Sequence, residues 1–392
     1  MLSEEKNARY TRVGPGTPGG NLLRRYWQAL CPVAEVTAEN PKKRIRLLGE
    51  DLLVYLGAAG EYGCVAEKCV HRGCSLYYGF IEENDIRCPY HGWKFERTGR
   101  CVEQPFERAD SPFKDRVRLA AYPVQKLAGM LFVYMGPDPA PLLPRWDVLV
   151  REGGTRKIEI RPLLNCNWLQ TQENAIDTTH TYYLHGHQSH VKGLGDDFAP
   201  WYYRPILDYE FWVTEWGIEK RIKYGGKHPE DGLWPPALFP NMLRIPQGRV
   251  ECLHWRVPVD DTHTRYIVES FIPGDSKTPA GDPDDVPVIY MPSDLTPDGD
   301  YSLESFFSQD RMAWETQGEI YDRGKEHLGM SDKGIAMFRR LLDEQITIVE
   351  QGGEPMALVR DPEKNRIIEF TSHSVNRLNT GSPSKKEGSV NG

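Results

Sequence analysis

Four metal-binding side chains, arranged as two short pairs, constrain this 392-residue chain more than any other feature of its sequence. The first pair is Cys69 and His71, and the second pair, Cys88 and His91, follows after sixteen intervening residues. Each pair supplies one thiolate and one imidazole. A [2Fe–2S] centre in which two cysteines hold one iron and two histidines hold the other needs this set of ligands. The spacing therefore predicts a cluster that transfers single electrons.

A structural zinc site is the alternative, since zinc also binds two cysteines and two histidines. Zinc spacings usually place both cysteines before both histidines, whereas here each half contributes one of each. Gly73 and Gly92 follow the two pairs and permit tight loops whose backbone N–H groups can face sulfur. The pattern favours a Rieske-type cluster over zinc and over coincidence.

The segment that holds the pairs, CVHRGCSLYYG and then RCPYHGWKFERTGRCVEQP, resembles the Rieske domain of the bacterial aromatic-ring oxygenases. The likeness is to the phthalate dioxygenase branch of their α (oxygenase) subunits. The Rieske subunits of cytochrome bc-type complexes differ, because a disulfide joins their two cluster loops. This chain has Cys74 at the first position of that disulfide but Tyr90 at the second, so the disulfide cannot form.

The resemblance implies an α+β chain, with an N-terminal all-β Rieske [2Fe–2S] domain followed by a helix-grip catalytic domain of antiparallel sheet plus helices. The residue pattern is compatible, because short apolar runs over residues 44–135 are broken by Gly, Asn and Asp. Residues 136–141 form a proline-rich linker. We expect an N-terminal helix and Rieske domain at 1–140, a catalytic domain at 141–378 and a flexible tail at 379–392.

Several further elements are expected from caps and periodicity. They are a helix from Thr17–Pro18 toward residue 29, a helix over 167–184, strands near 209–216 and 250–259, a loop over 282–297, and a helical region over 303–349.

A second polar motif, ENAIDTTHTYYLHGH, lies about ninety residues beyond the cluster motif. On a helix Asn174, Asp177 and His180 form one stripe. His185 lies about 140° further round, so both histidines reach one metal only if the helix ends or bulges between them. Gly186 is consistent with an end there. Two histidines and a carboxylate form the facial triad of non-haem Fe(II) oxygenases, and the run N-x-x-D-x-x-H-x₄-H resembles the mononuclear-iron motif of the same oxygenase family.

The carboxylate ligand of that triad is expected far along the chain, and Asp310 is the candidate. On a helix it shares a face with apolar residues such as Phe306 and Trp314, and a buried acid needs a partner or a metal. The competing acids are Glu315, Asp322 and Asp332.

The resemblance implies a different role for Asp177, which with Asn174 is a candidate catalytic residue beside the metal. The matching aspartate in the family bridges a cluster histidine of one subunit to an iron ligand of its neighbour. Here the bridge runs from His91 to Asp177 and His180 of the next subunit, which implies a homotrimer or stacked trimers (a hexamer). His187 and His190 are assigned to the pocket rim or to solvent.

Charge and composition limit the partners. A net charge of −8 argues against nucleic acid and anionic membranes as partners. The longest apolar run is only strand-sized and the N-terminus is polar, so we expect a cytoplasmic protein that does not enter a membrane. The six cysteines outside the cluster pairs show no disulfide spacing, and most are expected to be buried thiols.

No dinucleotide-binding G-x-G-x-x-G follows a strand, so NAD(P)H is expected to act through a separate ferredoxin and/or flavin reductase. The resemblance implies one Rieske cluster and one mononuclear Fe(II) per chain, with O₂ as co-substrate. A non-catalytic Rieske electron carrier is the alternative from another class, but such carriers are about the size of the first domain alone.

The stretches NCNWLQTQENAIDTTH, LFPNMLRI and HWRVPVDDTHT look most like the 5,5′-dehydrodivanillate O-demethylase type within this branch. This implies a monooxygenase that removes a methyl group, as formaldehyde, from a methoxylated and carboxylated aromatic derived from lignin. A cis-dihydroxylating dioxygenase acting on an aromatic acid is the alternative. Arginines suit a carboxylate and aromatic walls suit a ring. The pocket candidates are Trp168, Gln172, Phe239, Asn241, Met242, Arg244, His254 and Arg256.

Overall fold

The computed structural model describes residues 2–108, 110–191, 206–225, 232–247, 250–274 and 285–370. Three small antiparallel sheets hold the first eleven strands, in the orders β1–β11–β10, β2–β3–β4–β9 and β5–β6–β7–β8. These strands are β1 (Gln28–Pro32), β2 (Lys42–Leu47), β3 (Glu50–Leu56), β4 (Tyr62–Ala66), β5 (Phe80–Glu82), β6 (Asp85–Arg87), β7 (Lys94–Phe95), β8 (Cys101–Glu103), β9 (Ala121–Tyr122), β10 (Val124–Leu127) and β11 (Met130–Val133).

One eight-stranded sheet forms the centre of the rest of the chain, in the order β13–β14–β15–β16–β17–β18–β12–β19. All its described pairings are antiparallel except β12 with β19. Its strands are β12 (Gly154–Ile160), β13 (Ile206–Val213), β14 (Gly217–Tyr224), β15 (Gly232–Leu238), β16 (Met242–Gln247), β17 (Val250–Pro258), β18 (Thr264–Pro273) and β19 (Val288–Tyr290). The short strand β19 lies within a stretch where we expected a loop.

Helices precede and cover the sheets. The α-helices are α1 (Glu4–Thr11), α2 (Pro18–Leu23), α3 (Asp147–Val150), α4 (Trp168–Ile176), α5 (Gln188–Val191), α6 (Phe306–Glu315) and α7 (Lys333–Glu350). A π-helix, Thr181–His187, lies between α4 and α5. Short 3₁₀-helices lie at Val33–Glu35, Leu76–Tyr78, Pro112–Arg116, Met330–Asp332 and Pro362–Asn365.

The predicted start of α2 is confirmed, since Thr17 Oγ1 accepts the Gly20 N–H at 3.2 Å and Pro18 is the first helical residue. The predicted end near residue 29 is wrong, because Gln28 already begins β1. The helical region expected over 303–349 is two helices, α6 and α7, separated by a non-helical stretch with one 3₁₀ turn.

The helix predicted over 167–184 begins as expected, because Asn167 Oδ1 accepts the Leu169 N–H at 3.1 Å. It ends at Ile176, eight residues early. Asp177 is extended, with ψ 135°, and its Oδ1 accepts the Thr179 N–H at 2.8 Å. This side chain to backbone bond competes with helix continuation. The predicted single stripe of three polar residues is therefore interrupted at Asp177.

The two faces of β17 have different neighbours, because successive side chains of a strand point to opposite sides. Cys252, His254 and Arg256 lie on the face that α6 covers, where Trp314 stacks on Tyr266 of β18 with ring centroids 5.6 Å apart. The opposite face packs toward the N-terminal sheets, for example through Trp255 and Phe132 of β11. The sheet thus lies between α6 and β11 of the N-terminal sheets.

The predicted α+β fold, a β-rich Rieske domain followed by an antiparallel sheet with helices, is confirmed. One hydrophobic core runs from α2 and β1 through the large sheet to α7, and a second fills the sheets around the cluster loops. The domain boundaries at 140 and 378 stay predictions, and the predicted tail lies outside the described residues. Each helix in the described part of the chain is too short or too polar to span a bilayer.

Candidate metal centres and active site

The two predicted cluster loops close with the same backbone hydrogen bonds. The Cys69 N–H donates to the Cys74 carbonyl at 2.8 Å, and the Cys69 carbonyl accepts the Gly73 N–H at 2.8 Å. In the second loop, the Cys88 N–H donates to the Trp93 carbonyl at 2.8 Å, and the Cys88 carbonyl accepts the Gly92 N–H at 3.1 Å. Gly73 and Gly92 have φ of +72° and +71°, a backbone region that favours glycine. The predicted use of glycine in these loops is confirmed.

The side chains of these loops converge. The Cys69 and Cys88 side chains are buried, and the His71 and His91 rings lie 4.7 Å apart between centroids. Trp93 stacks on His71 at 4.3 Å with an interplanar angle of 8° and fixes the orientation of that ring. Nδ1 of His91 is buried and, among the residues that the structure describes, has no hydrogen-bond partner. Two thiols, two imidazoles and a ring nitrogen without a partner fit a Rieske cluster.

Three further side chains meet between the π-helix and α6. Oδ1 of Asp310 lies 3.3 Å from Nε2 of His185 and 3.8 Å from Nε2 of His180. One ligand atom from each of the three residues lies within 4.8 Å of the other two. Asp310, rather than any competing acid, is brought to the histidines, while Glu315 lies beside Arg311. Two imidazoles and one carboxylate fit a mononuclear iron with open coordination positions.

The π-helix explains how two histidines five residues apart reach the same point. In an α-helix such residues diverge, whereas a π-helix bonds each residue to the one five positions on. Thr181–His187 adopts this form directly after His180. The predicted bulge is therefore confirmed, but the predicted end at Gly186 is wrong, because that glycine lies inside the π-helix. His187 is exposed, and the side chain of His190 lies outside the described residues.

Each histidine of the triad is oriented through its other ring nitrogen. Nδ1 of His185 donates to Gln309 Oε1 at 2.9 Å, and Nδ1 of His180 donates to Asp177 Oδ2 at 3.3 Å. In the tautomer that makes these bonds with a neutral ring, each Nε2 has a lone pair that can bind a metal. Asn174 Nδ2 donates to Asp310 Oδ1 at 3.3 Å. Sequence reasoning missed Gln309, since only the fold brings it to His185.

The carboxylates near the triad are ionised. Burial raises the pKa of Asp310, but His185, His180 and Arg256 together outweigh burial and the net pKa is lowered. Burial likewise raises the pKa of Asp177, while the His180 hydrogen bond and the Thr179 donors lower it further than burial raises it. A carboxylate that keeps its charge at neutral pH can bind a metal or accept hydrogen bonds from imidazoles.

Two of the predicted pocket residues lie near the triad, on the β17 face that α6 covers. The Tyr266 hydroxyl lies 2.7 Å from Nδ1 of His254 and 3.4 Å from Nη2 of Arg256. Because the hydroxyl accepts from the guanidinium, it donates to the imidazole, which places the histidine proton on Nε2. His254 Nε2 and Arg256 Nη1 are buried donors without a partner in the described part of the chain. Both residues interact electrostatically with Asp310.

The predicted pocket residue Arg244 lies elsewhere. It is opposite Leu253 in the strand register, on the sheet face turned away from α6. Its guanidinium donates to Asp147 Oδ2 at 2.8 Å and pairs with Glu251. The prediction that Arg244 lines the substrate pocket is wrong, because both its charge and its donors are used inside the core.

The other pocket candidates are buried, and most have structural contacts. Phe239 packs against Tyr26 and Phe338, with ring centroids 5.9 and 6.0 Å away. Asn241 donates to the Arg256 carbonyl at 2.9 Å. Gln172 donates to the Met242 carbonyl at 3.2 Å, and the Met242 side chain is on the Arg244 side of the sheet. Gln172 Oε1 and Trp168 Nε1 are buried and lack partners among the residues described.

Comparisons with known proteins give the family. Residues 26–123 match a Rieske [2Fe-2S] domain, and residues 293–373 match a LigXa C-terminal domain-like family. The chain is 37% identical over 378 residues to the 5,5′-dehydrodivanillate O-demethylase oxygenase subunit of Sphingobium sp. (strain NBRC 103272 / SYK-6), covering 94% of this chain and 86% of the relative. The chain belongs to the Rieske non-haem iron oxygenases, as an oxygenase subunit.

Two further Rieske oxygenases are similar to this chain, one in sequence and one in fold. The phenoxybenzoate dioxygenase subunit alpha of Ectopseudomonas oleovorans is 35% identical, over 88% of this chain and 85% of that protein. The terminal oxygenase of carbazole 1,9a-dioxygenase from Nocardioides aromaticivorans IC177 has the same fold, with a TM-score of 0.62, 19% identity and coverage of 87% and 96%.

This Rieske oxygenase subunit has a [2Fe–2S] cluster and a mononuclear iron as cofactors. The zinc and electron-carrier alternatives are excluded by the family.

Proposed function

We propose that this subunit O-demethylates a methoxylated aromatic carboxylate. Two sets of residues hold the metals. The cluster ligands are Cys69, His71, Cys88 and His91, and the ligands of the mononuclear iron are His180, His185 and Asp310. The iron, when bound, supplies the site at which O₂ is activated.

The observation that carries the substrate class is the pair of buried donors near the triad. Arg256 contributes a permanent positive charge and His254 a neutral N–H donor, because burial lowers the pKa of His254 to about 3. Leaving such donors without a partner costs about 1–3 kcal/mol each. A carboxylate can accept from both and offset the buried charge. Because these donors lie on the sheet face that α6 and Asp310 cover, a bound carboxylate fixes where the rest of the aromatic lies.

The reaction class is supported by the dehydrodivanillate O-demethylase relative. One oxygen atom of O₂ enters the methoxy C–H bond, and the resulting hemiacetal loses formaldehyde and leaves a phenol. The second oxygen atom becomes water, with two electrons and two protons supplied from outside. The chain's own residues hold the ring, exclude water from the buried face and orient His180 and His185.

Electrons are supplied by a ferredoxin and/or flavin reductase that oxidises NAD(P)H, and they enter at the cluster. Asp177 bridges His91 of one subunit to His180 of the next, within a homotrimer or stacked trimers. Its carboxylate already accepts from His180 in the same chain. We further propose that the protein is cytoplasmic and that its two domains divide near residue 140.

A cis-dihydroxylating dioxygenase is the second candidate function. The phenoxybenzoate dioxygenase relative supports it, and so does the phthalate 4,5-dioxygenase oxygenase subunit of Pseudomonas putida, which is 27% identical over 94% of this chain. The proposed anion site suits an aromatic acid in either reaction.

Substrate-triggered O₂ uptake tests the proposal. The purified enzyme, supplied with a surrogate reductase, is offered methoxybenzoates, phthalates and 5,5′-dehydrodivanillate. We expect fast uptake with a methoxylated acid and formaldehyde equal to the O₂ consumed. A dihydrodiol without formaldehyde contradicts O-demethylation and supports the second candidate, while uptake that no aromatic acid stimulates contradicts both.

A further inference from the structure

A lysine is buried beside the turn that carries Asp177. Lys220 lies in the middle of β14 and is 3% exposed. Its neighbours on the same face of the strand, Ile218 and Ile222, are fully apolar and buried. Lysine is almost never fully buried unless its charge is paired, because an ammonium group loses its hydration there. The position therefore needs an explanation from the groups around the ammonium.

The ammonium group of Lys220 contacts the end of α4. Its Nζ donates to the carbonyl of Ala175, in the last turn of the helix. Carbonyls in a last turn have no intrahelical partner, and the helix dipole makes this end favourable for a positive charge. Lys220 thus reaches from the sheet to the point where the chain leaves α4 and enters the turn of Asp177 and His180.

Two charged groups act on this lysine. Burial lowers the pKa of Lys220 to about 7, while the Asp177 carboxylate opposes that shift and the Arg256 guanidinium adds to it. Lys220 is therefore close enough to the Asp177 carboxylate and to the Arg256 guanidinium to interact with both charges.

Within the described part of the chain, the hydrogen bonds to the Asp177 carboxylate come from Thr179 and His180. Oδ1 accepts the N–H and hydroxyl of Thr179, both at 2.8 Å, and Oδ2 accepts from His180. These donors orient the carboxylate but carry no permanent charge. The lysine supplies the cation on the α4 side.

We propose that Lys220 is a positioning residue for electron entry, whose buried positive charge holds the end of α4 and the Asp177 carboxylate in the place where the neighbouring cluster histidine docks. This inference rests on the proposed bridge through Asp177. It assigns the lysine a role beyond that of a helix cap, because the charge, and not only the hydrogen bond, is required.

Three substitutions of Lys220 separate the effect of its charge from the effect of its hydrogen bond. Lys220→Arg keeps charge and donor, Lys220→Gln keeps a donor without the charge, and Lys220→Met keeps neither. Lys223→Met, three residues along the same strand, is the matched control, since that lysine is 39% exposed and pairs with Glu210 at the surface.

The experiment follows a single turnover of the iron-loaded enzyme at about pH 6, where Lys220, whose pKa is about 7, is mostly protonated. The cluster is reduced, O₂ is added with 5,5′-dehydrodivanillate as the probe, and the return of oxidised-cluster absorbance is timed. We expect Lys220→Gln and Lys220→Met to slow the return about tenfold or more, in the range of residues that support metal ligands. Lys220→Arg should stay within about twofold and Lys223→Met unchanged, with iron content the same in all.

Equal rates for Lys220→Gln and Lys220→Arg overturn the proposal, because the charge then has no effect. Asp177→Asn is measured beside them, and combining it with Lys220→Met should slow the return no further. A further tenfold loss in that double variant, relative to Asp177→Asn, also overturns the proposal. If Lys220→Met alone fails to fold, this comparison of the double variant with Asp177→Asn replaces it.

Failure of the bridge gives a different result. If Asp177→Asn returns its electron at the normal rate, the proposed bridge is wrong. If it is slow while Lys220→Gln is normal, only the lysine's role is wrong. If the probe does not accelerate the wild-type return, the assumed substrate is wrong, and the variants are compared on oxidation by O₂ alone.

Discussion

Nδ1 of His185 lies 2.9 Å from Oε1 of Gln309, and this hydrogen bond determines which nitrogen of the imidazole can bind a metal. An amide oxygen only accepts, so the proton lies on Nδ1 and Nε2 faces Asp310. His180 is oriented in the same way by Asp177. The two histidines thus have different acceptors, a neutral amide for His185 and a carboxylate for His180.

Replacing Gln309 with methionine removes that acceptor while keeping a similar volume. We expect the affinity for Fe(II) to fall about 10- to 100-fold, as when other partners of metal-bound histidines are removed. The measurement is iron retention during dialysis against a chelator series. Gln309→Glu, which keeps an acceptor, is the control and should retain iron. Equal retention in Gln309→Met and wild type would show that the amide does not orient His185.

Replacing Asp177 with asparagine should leave both metals bound and abolish nearly all turnover. The amide keeps the shape of the carboxylate but not its charge, so the proposed link between subunits is lost. The measurements are metal content, visible spectrum and substrate-dependent O₂ uptake. Normal uptake would refute the bridge, and loss of iron would mean that Asp177 acts on metal binding instead.

Replacing Arg256 with methionine tests the proposed anion site. We expect KM for an aromatic acid to rise about 10- to 100-fold, because a charge-assisted hydrogen bond is removed. The methyl ester of the same compound is the control, since it lacks the anion and its KM should change by less than about threefold. An equal rise for acid and ester would mean that Arg256 shapes the pocket without recognising charge.

The buried carboxyl group of Glu269 should make the stability of the fold depend on pH. Its Oε2 accepts from Trp255 Nε1 at 2.7 Å, and burial raises its pKa from 4.5 to about 8. The protonated acid is thus favoured in the fold, so its contribution is complete below pH 4.5 and is lost as pH rises through about 8. Glu269→Gln cannot ionise and should be more stable than wild type at pH 8.5 by about 1–3 kcal/mol.

In a thermal melt this corresponds to a Tm higher by about 2–6 °C at pH 8.5, with a small difference at pH 5. Glu304→Gln, at an exposed position, is the control, and its Tm should match that of wild type at both pH values. A Tm difference that is the same at both pH values would show that Glu269 does not titrate in this range.

Local patterns predicted much of the site. The spacing from Cys69 to His91 indicated the cluster, and the glycines after each pair indicated the loops. The positions of His180 and His185 required a bulge, which is present as a π-helix. Asp310 was identified as an acid on an apolar helix face, and it lies beside both histidines. In each case, the chemistry of a ligand set or the geometry of a helix left few alternatives.

What could not be predicted depends on packing between distant elements. Arg244 and Arg256 are both arginines on neighbouring strands, and only the register shows that they face opposite sides of the sheet. Gln309 and Lys220 are ordinary in sequence, and their roles arise from contacts with residues 124 and 45 positions away. The early end of α4 depends on an Asp177 side-chain bond, which outweighs the continuing helical pattern.

The most direct test of two different iron centres in one chain is the iron content of Asp310→Ala beside wild type. We expect about three irons per chain in wild type, two from the cluster and one mononuclear. The variant should keep the cluster spectrum unchanged and retain only the two cluster irons, without turnover. Full iron content and full turnover in Asp310→Ala would contradict the assignment of the triad.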